Sequence, residues 1–229
     1  MTVSVRGIGT VGAKEPGTLV IPWGEGTREI PAFRADTAPL ERFIPRRALR
    51  RIDAFSRMAL LGAHLALEDA GLLGQDLGGL GIVIASAYGA TGPTFDLIDS
   101  MIQDGDMCSS PIHFAGSLHN TPAAHVAIFL GAKGPSLTLS LFEGLAPAAF
   151  TAARLWLEEG RAERVLVGVV DELSDLTGYL WARSDSNAPP KEGAAFFLLS
   201  TVDGDGYGAL DASAEDAFAL AEALRSSRH

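Results

Sequence analysis

Residues Gly134 to Gly144 read Gly-Pro-Ser-Leu-Thr-Leu-Ser-Leu-Phe-Glu-Gly and run directly into a helical pattern from Leu145 to Glu159. A period-two apolar run that gives way this abruptly to a helix demands a tight strand-to-helix turn. Such turns are where α/β proteins present reactive groups. The flanking pattern agrees. Val3 to Val11, Leu80 to Ala85, Ser136 to Leu141, Arg164 to Val170 and Ala194 to Thr201 read as strands. Helical spacing covers Arg47 to Ala70 (closed by Gly71), Thr91 to Gln103, Asn120 to Leu130, Leu145 to Glu159 and Ala214 to Arg225. Strands separated by helices of roughly 10–25 residues predict a parallel-dominated sheet with helices on its faces. The Gly-, Pro- and Thr-rich stretch from Gly12 to Arg42 reads as a long loop or a small hairpin over the sheet edge. Leu145 to Leu157 is apolar nearly all round apart from Thr151 and Arg154, so it asks for cover on more sides than one sheet supplies.

Composition narrows the partners. The formal net charge of -10 argues against general nucleic-acid binding. Seven arginines nevertheless crowd between Arg34 and Arg57, while the segment after residue 202 is acidic. A basic patch on an acidic chain suits one specific anionic partner, the alternative being a solvated helix face. No apolar run approaches the ~20 residues of a membrane span, and a single cysteine fits a reducing cytoplasm. The length suits one domain over 1–202 with an acidic C-terminal tail, 203–229, carrying a short helix.

Several motifs follow one another in a fixed order. They are Ile52-Asp53-Ala54-Phe55-Ser56-Arg57, Ala66-Leu67-Glu68-Asp69-Ala70-Gly71-Leu72, Gly81 to Gly89, Ser110-Pro111, Asn120 to His125, Leu130 to Ser136, Val165 to Glu172 and Glu192 to Leu199. Together with Gly134 to Gly144 they closely resemble the first half of the β-ketoacyl synthases of fatty-acid and polyketide assembly. That resemblance implies an α/β fold, one thiolase-like half: a mixed five-stranded sheet with helices on both faces. It also places the family's catalytic cysteine on Glu143. A carboxylate cannot replace a thiolate that must attack an acyl group and then leave. The two histidines of the family's second half have no match among His64, His113, His119, His125 and His229. Ser117-Leu118-His119-Asn120 is similar instead to a short, first-half-only ketosynthase-like group associated with polyene assembly, aryl polyenes included.

The resemblance implies a non-catalytic, chain-length-factor-like subunit that pairs with a full-length ketosynthase through the side of the nucleophile helix. It gives Arg46, Arg47, Arg50 and Arg51 a role in docking acyl carrier protein. Phe114, Phe142 and Phe150 become candidate tunnel or interface residues, each with ordinary core as the alternative. Glu143 has two readings: a decarboxylase or hydrolase group acting with His119, or a charge placed at a helix start. The second is preferred, since glutamine is the usual residue in decarboxylating relatives. His119 also reads as a capping or hydrogen-bonding residue. Cys108 precedes the turn by more than thirty residues and does not end a strand, so it reads as a loop or buried thiol. His113 and His125 show no metal-ligand spacing, and neither a metal nor a cofactor is expected. A homodimer is the expected form when the chain is made alone.

Overall fold

A computed structural model describes residues 2–13, 15–105, 110–202 and 206–228. The chain opens with β1 (Ser4–Val11), then a hairpin of β2 (Gly17–Trp23) and β3 (Gly26–Ala32), and a 3-10 turn over Ala38–Arg42. Next come α1 (Arg46–Leu49), α2 (Ala54–Asp69), β4 (Gly81–Ser86), α3 (Thr91–Asp104), α4 (Pro111–Ser117) and α5 (Thr121–Leu130). The second part runs β5 (Ser136–Ser140), α6 (Leu145–Glu158), β6 (Arg164–Asp171), α7 (Asp175–Ala182), β7 (Gly193–Ser200), β8 (Gly208–Ala209) and α8 (Ala217–Ser227).

One sheet of six strands, ordered β5-β4-β6-β7-β1-β8, forms the centre. β4 pairs in parallel with β5 and β6, whereas β6–β7, β7–β1 and β1–β8 are antiparallel. The sheet is therefore mixed, with five long strands and a two-residue sixth, and parallel pairing does not dominate it. The reason is the connection between β6 and β7. It contains α7 but returns antiparallel, which helical spacing alone does not exclude.

Strand alternation sorts the core into two layers. Ile82, Ile84, Leu166, Phe196 and Leu198 face α2 and α5. Val83, Ala85, Val165, Val167, Phe197 and Leu199 face α6 and α8. Gly7 and Gly9 of β1 leave no room for a Cβ, because Ala66 and Gly62 of α2 press against them. This close approach buries α2 on nearly every side, down to its fully buried Phe55, Leu60 and Leu67. Residues 208–228 belong to the same packing: β8 extends the sheet beside β1, and Ala217 and Ala221 of α8 are buried on it.

The long helix read over Arg47 to Ala70 is broken. Arg50 to Asp53 separate α1 from α2, and Asp53 becomes the N-cap of α2, accepting the Ser56 N–H at 2.7 Å. A capping aspartate with extended backbone stops the helical repeat that the arginines would otherwise continue. The stretch after residue 12 is a separate two-stranded sheet, whose Leu19, Ile21, Ile30 and Ala32 pack with Leu173 and partly buried Trp181 of α7. Helix α6 also differs from its apolar reading. Ala146, Ala149, Phe150, Ala153, Trp156 and Leu157 are buried within this chain, and Leu155 is its one large exposed apolar side chain. The surface that is open and apolar lies elsewhere, on α3 (Phe95, Ile98, Met101, Ile102) and α4 (Ile112, Phe114), with Ile128 of α5.

Candidate functional site

Two strand-to-helix turns stand side by side at the carboxyl ends of β4 and β5. After β5 the chain turns through Leu141, Phe142 and Glu143, all exposed, to Gly144. Gly144 has φ +63°, a left-handed backbone that a side chain would strain, and it is the N-cap of α6. No side chain caps that helix start. Pro147 needs no acceptor, which leaves the N–H groups of Leu145 and Ala146 at a helix start that follows Glu143 in sequence. An anion there gains about 0.3–1 kcal/mol without any chemistry.

The turn after β4 is held by a half-buried carboxylate. Asp171, at the end of β6, accepts the Ser86 hydroxyl at 2.7 Å and the N–H groups of Ala87 and Tyr88 at 3.0 and 3.1 Å. The Ser86 Oγ in turn accepts the Gly89 N–H at 2.8 Å. Burial raises the Asp171 pKa against the effect of these bonds. Gly89 has φ +68° and no room for a Cβ, because the ring of His119 lies over it. Tyr88 meets Phe142 edge to face, which joins the two turns.

Behind them sits a second carboxylate cluster that the sequence did not announce. Glu172 is 7% exposed and accepts the Gly92 N–H at 2.7 Å, at the start of α3. Its pKa is pushed up to about 7, chiefly by burial and further by the nearby charges of Asp53 and Glu192. Glu192 bridges the Ala35 and Leu173 N–H groups, each at 2.9 Å, and so ties the hairpin's exit to the end of β6. The Asp171-Glu172 pair at a strand end was visible in the sequence. Its burial was not.

The predicted residues separate. Glu143 and His119 flank the paired turns, yet neither makes a side-chain hydrogen bond or ion pair among the described residues. Phe142 is 78% exposed and Phe114 57% exposed, whereas Phe150 is fully buried against Phe197 with ring centroids 5.4 Å apart. Phe150 is core, because the buried side of α6 points it at the sheet. Arg46 and Arg47 lie on α1 and Arg50 and Arg51 in the turn after it, all exposed. Arg46 has a loose partner in Glu41 at 3.7 Å; Arg47, Arg50 and Arg51 make no ion pair among the described residues. Two other arginines of the cluster serve structure: Arg42 pairs with Glu68, and Arg57 donates to the Ile52 and Leu49 carbonyls. Cys108 lies outside the described residues. No helix among the described residues is long and apolar enough to cross a membrane.

A mixed sheet covered by helices on both faces, with a strand followed by a short turn to a left-handed glycine at a helix start, is an α/β arrangement of the thiolase-like kind. The model of the β-ketoacyl synthase N-terminal domain matches residues 25–223, and the chain belongs to that family. It is 27% identical over 126 residues to the chloroplastic 3-oxoacyl-[acyl-carrier-protein] synthase I of Hordeum vulgare, a match covering 52% of this chain and 27% of that enzyme. The chain thus spans about a quarter of that relative's length. Its fold is similar to the ishigamide ketosynthase/chain length factor, with a TM-score of 0.72 and 18% identity over 90% of this chain and 63% of that one. It is also similar to a structure of a ketosynthase in complex with its chain length factor from Xenorhabdus doucetiae, with a TM-score of 0.61 and 18% identity, covering 89% of this chain and 81% of that one.

Proposed function

We propose that this chain is a non-catalytic, chain-length-factor-like subunit of a type II fatty-acid- or polyene-type assembly line. It pairs with a full-length ketosynthase and shapes the space open to the growing acyl chain. The observation that carries the reading is Glu143, an exposed carboxylate at the strand-to-helix turn where the family places its thiol. A carboxylate there neither accepts an acyl group from a thioester nor releases it to a condensing partner at neutral pH.

Two features support pairing. Among the described residues the outer edge of β5 carries no neighbour, since β5 bonds there only to β4. In addition α3 and α4, which pack on one another, expose Phe95, Ile102, Ile112 and Phe114, with Ile102 at 76%. An unpaired strand edge and exposed apolar helices each gain stability when covered, about 1.5–3 kcal/mol for each large side chain fully buried. This moves the partner face from α6, where the sequence placed it, towards β5, α3 and α4. The arginines of α1 and its following turn support carrier docking, because they are exposed and largely unpaired. Made alone, the chain would cover the same face with a second copy.

The test is co-expression with a full-length ketosynthase encoded beside this chain, followed by sizing. One heterodimer is the expected result. A monodisperse monomer at micromolar concentration that binds no such ketosynthase overturns the proposal. The catalytic alternative, decarboxylation or hydrolysis by Glu143 with His119, draws only on their placement at adjacent turns. No bond joins them.

A further inference from the structure

Between the turn after β4, the end of β6 and α7 lies a cavity of about 400 Å³. Tyr88, Leu180 and Trp181 give it apolar walls, and Asp171, Glu172 and Lys191 are its charged or titratable members. These three differ in how far their bonding capacity is spent. Asp171 turns its oxygens to the β4 turn, where they accept the Ser86 hydroxyl and the Ala87 and Tyr88 N–H groups. Glu172 is only 7% exposed, yet just one of its oxygens is engaged: Oε1 accepts the Gly92 N–H at 2.7 Å and, more distantly, the Thr91 hydroxyl at 3.4 Å. Its Oε2 has no hydrogen-bond partner among the described residues. Lys191 makes no ion pair among them either, and its Nζ rests 5.1 Å from the Phe33 ring centre.

Proton placement follows from this geometry. An ionised Glu172 would keep a nearly buried anionic oxygen without a donor. With the proton on Oε2 it becomes a donor on the cavity wall. Burial favours the protonated form, as do the charges of Asp53, which caps α2, and Glu192, which holds the Ala35 and Leu173 N–H groups. The hydroxyls of Thr177 and Ser184, also on the wall, spend their hydrogens on the Ser174 and Trp181 carbonyls. The cavity is thus left with two unmatched donors, the Lys191 ammonium and the Glu172 O–H, and Lys191 is its one lining cation. A cationic ligand would meet Lys191. An anion with two acceptor oxygens would satisfy both donors.

We propose that this cavity binds a small apolar monocarboxylate, whose oxygens take the Lys191 ammonium and the Glu172 carboxyl O–H while its body lies between Tyr88, Leu180 and Trp181. Both bonds are charge-assisted, one by the cation and the other by the ligand's own charge. A simple carboxylic acid ionises near ~4, whereas Glu172 keeps its proton to about 7. Between those values the ligand is the anion and the protein holds the proton. The aromatic walls and the volume suit an aryl or short alkyl body. Neither Glu143 nor the exposed arginines line this cavity, so the site stands apart from the subunit reading above.

The experiment follows the indole ¹H–¹⁵N resonances of the full chain while benzoate, and separately hexanoate, is added to about 10 mM, well past a millimolar Kd. The chain has three tryptophans, and the spectrum of W181F identifies the Trp181 signal. A saturable shift of Trp181 is expected with at least one of the two acids, and benzamide, which lacks the charge, should bind about tenfold more weakly or worse. K191Q should weaken binding by a similar factor. The parent should bind at least about tenfold more weakly at pH ~8.5 than at pH ~6, as the protonated fraction of Glu172 falls, whereas E172Q keeps an N–H donor and should show no such change. No saturable Trp181 shift with either acid in the parent overturns the proposal, and that outcome needs no variant to fold. Benzamide binding as tightly as benzoate, an affinity unchanged in K191Q, or the same pH profile in E172Q and parent overturns it as well.

Discussion

Tyr88 and Phe142 meet edge to face with ring centroids 5.5 Å apart, and the contact couples the turn after β4 to the turn after β5. The first of these turns is anchored by Asp171. The second carries Glu143, whose carboxylate is bonded to nothing among the described residues. The shape of the Glu143 turn therefore rests on Gly144 and on this aromatic pair, and the carboxylate is free to change.

Replacing Glu143 tests its chemistry. E143Q should leave elongation by the complex with its ketosynthase within about twofold of the parent, since charge at a helix start contributes under ~1 kcal/mol. E143C should give the isolated chain no condensing activity, because a nucleophile needs oriented partners. Elongation rates of the assembled complex decide the first point. A loss of ten- to a hundredfold on E143Q, with the heterodimer intact on sizing, would move Glu143 into the catalytic reading.

Removing the arginine charges should act on carrier binding. The variant R46A/R47A/R50A/R51A should bind acyl carrier protein at least tenfold more weakly at low salt, and the difference should shrink as ionic strength approaches about 1 M. The heterodimer should survive, since none of these side chains is buried. Titration calorimetry at two salt concentrations reads the effect, and equal affinities at low salt would remove the docking role.

Gly89 and His119 form a steric pair. G89A should destabilise the chain by about 1–3 kcal/mol, through its left-handed backbone and the collision with the ring. Adding H119A should recover the steric part and leave the backbone part, for a coupling of about 1 kcal/mol in a denaturation cycle. Additive effects would mean that the ring is free to move aside.

The raised pKa of Glu172 makes a signed prediction about pH. In the unfolded chain the group ionises near 4.5; in the folded chain it stays protonated to about 7. The folded state then holds more protons between those values, so this stabilisation is complete below about 4.5 and is lost as pH rises through 7. Its full size is up to roughly 3 kcal/mol. His64 and His125, both lowered by burial, act in the opposite sense as pH falls below their ordinary range. The comparison with E172Q isolates the carboxyl, since Gln can still accept the Gly92 N–H. The parent should lose stability from pH 5 to 8 relative to E172Q, and parallel curves would contradict the assignment.

The strands and most helices were legible because apolar periodicity and glycine stops mark them directly. Gly71 and Gly131 each end a helix with a left-handed φ, as their positions suggested. The break at Asp53 was legible in principle from the capping pair Asp53 and Ser56, but the arginine run continued the helical spacing across it. Helix α7 was missed, although Ser174 and Thr177 form a capping box in the sequence. Its short length and its place after a strand gave no periodicity to weigh. The turn bearing Glu143 could be read from order alone. The roles of Asp171 and Glu172 could not, because each depends on contacts made by residues distant in sequence.

The pairing of β1 with β7 fixes a timetable for synthesis. Ser4 finds its partner in Ser200, so β1 leaves the ribosome nearly two hundred residues before the strand it must pair with. At about 5–20 residues per second that wait is roughly 10–40 s, during which β1 and the glycine-lined face that receives α2 have no sheet to join. Long-range closure of this kind slows folding and leaves strand edges open to wrong partners. A chaperone that shields β1 should raise the yield of folded chain. Circular permutation that places β1 next to β7 in sequence should do the same without it.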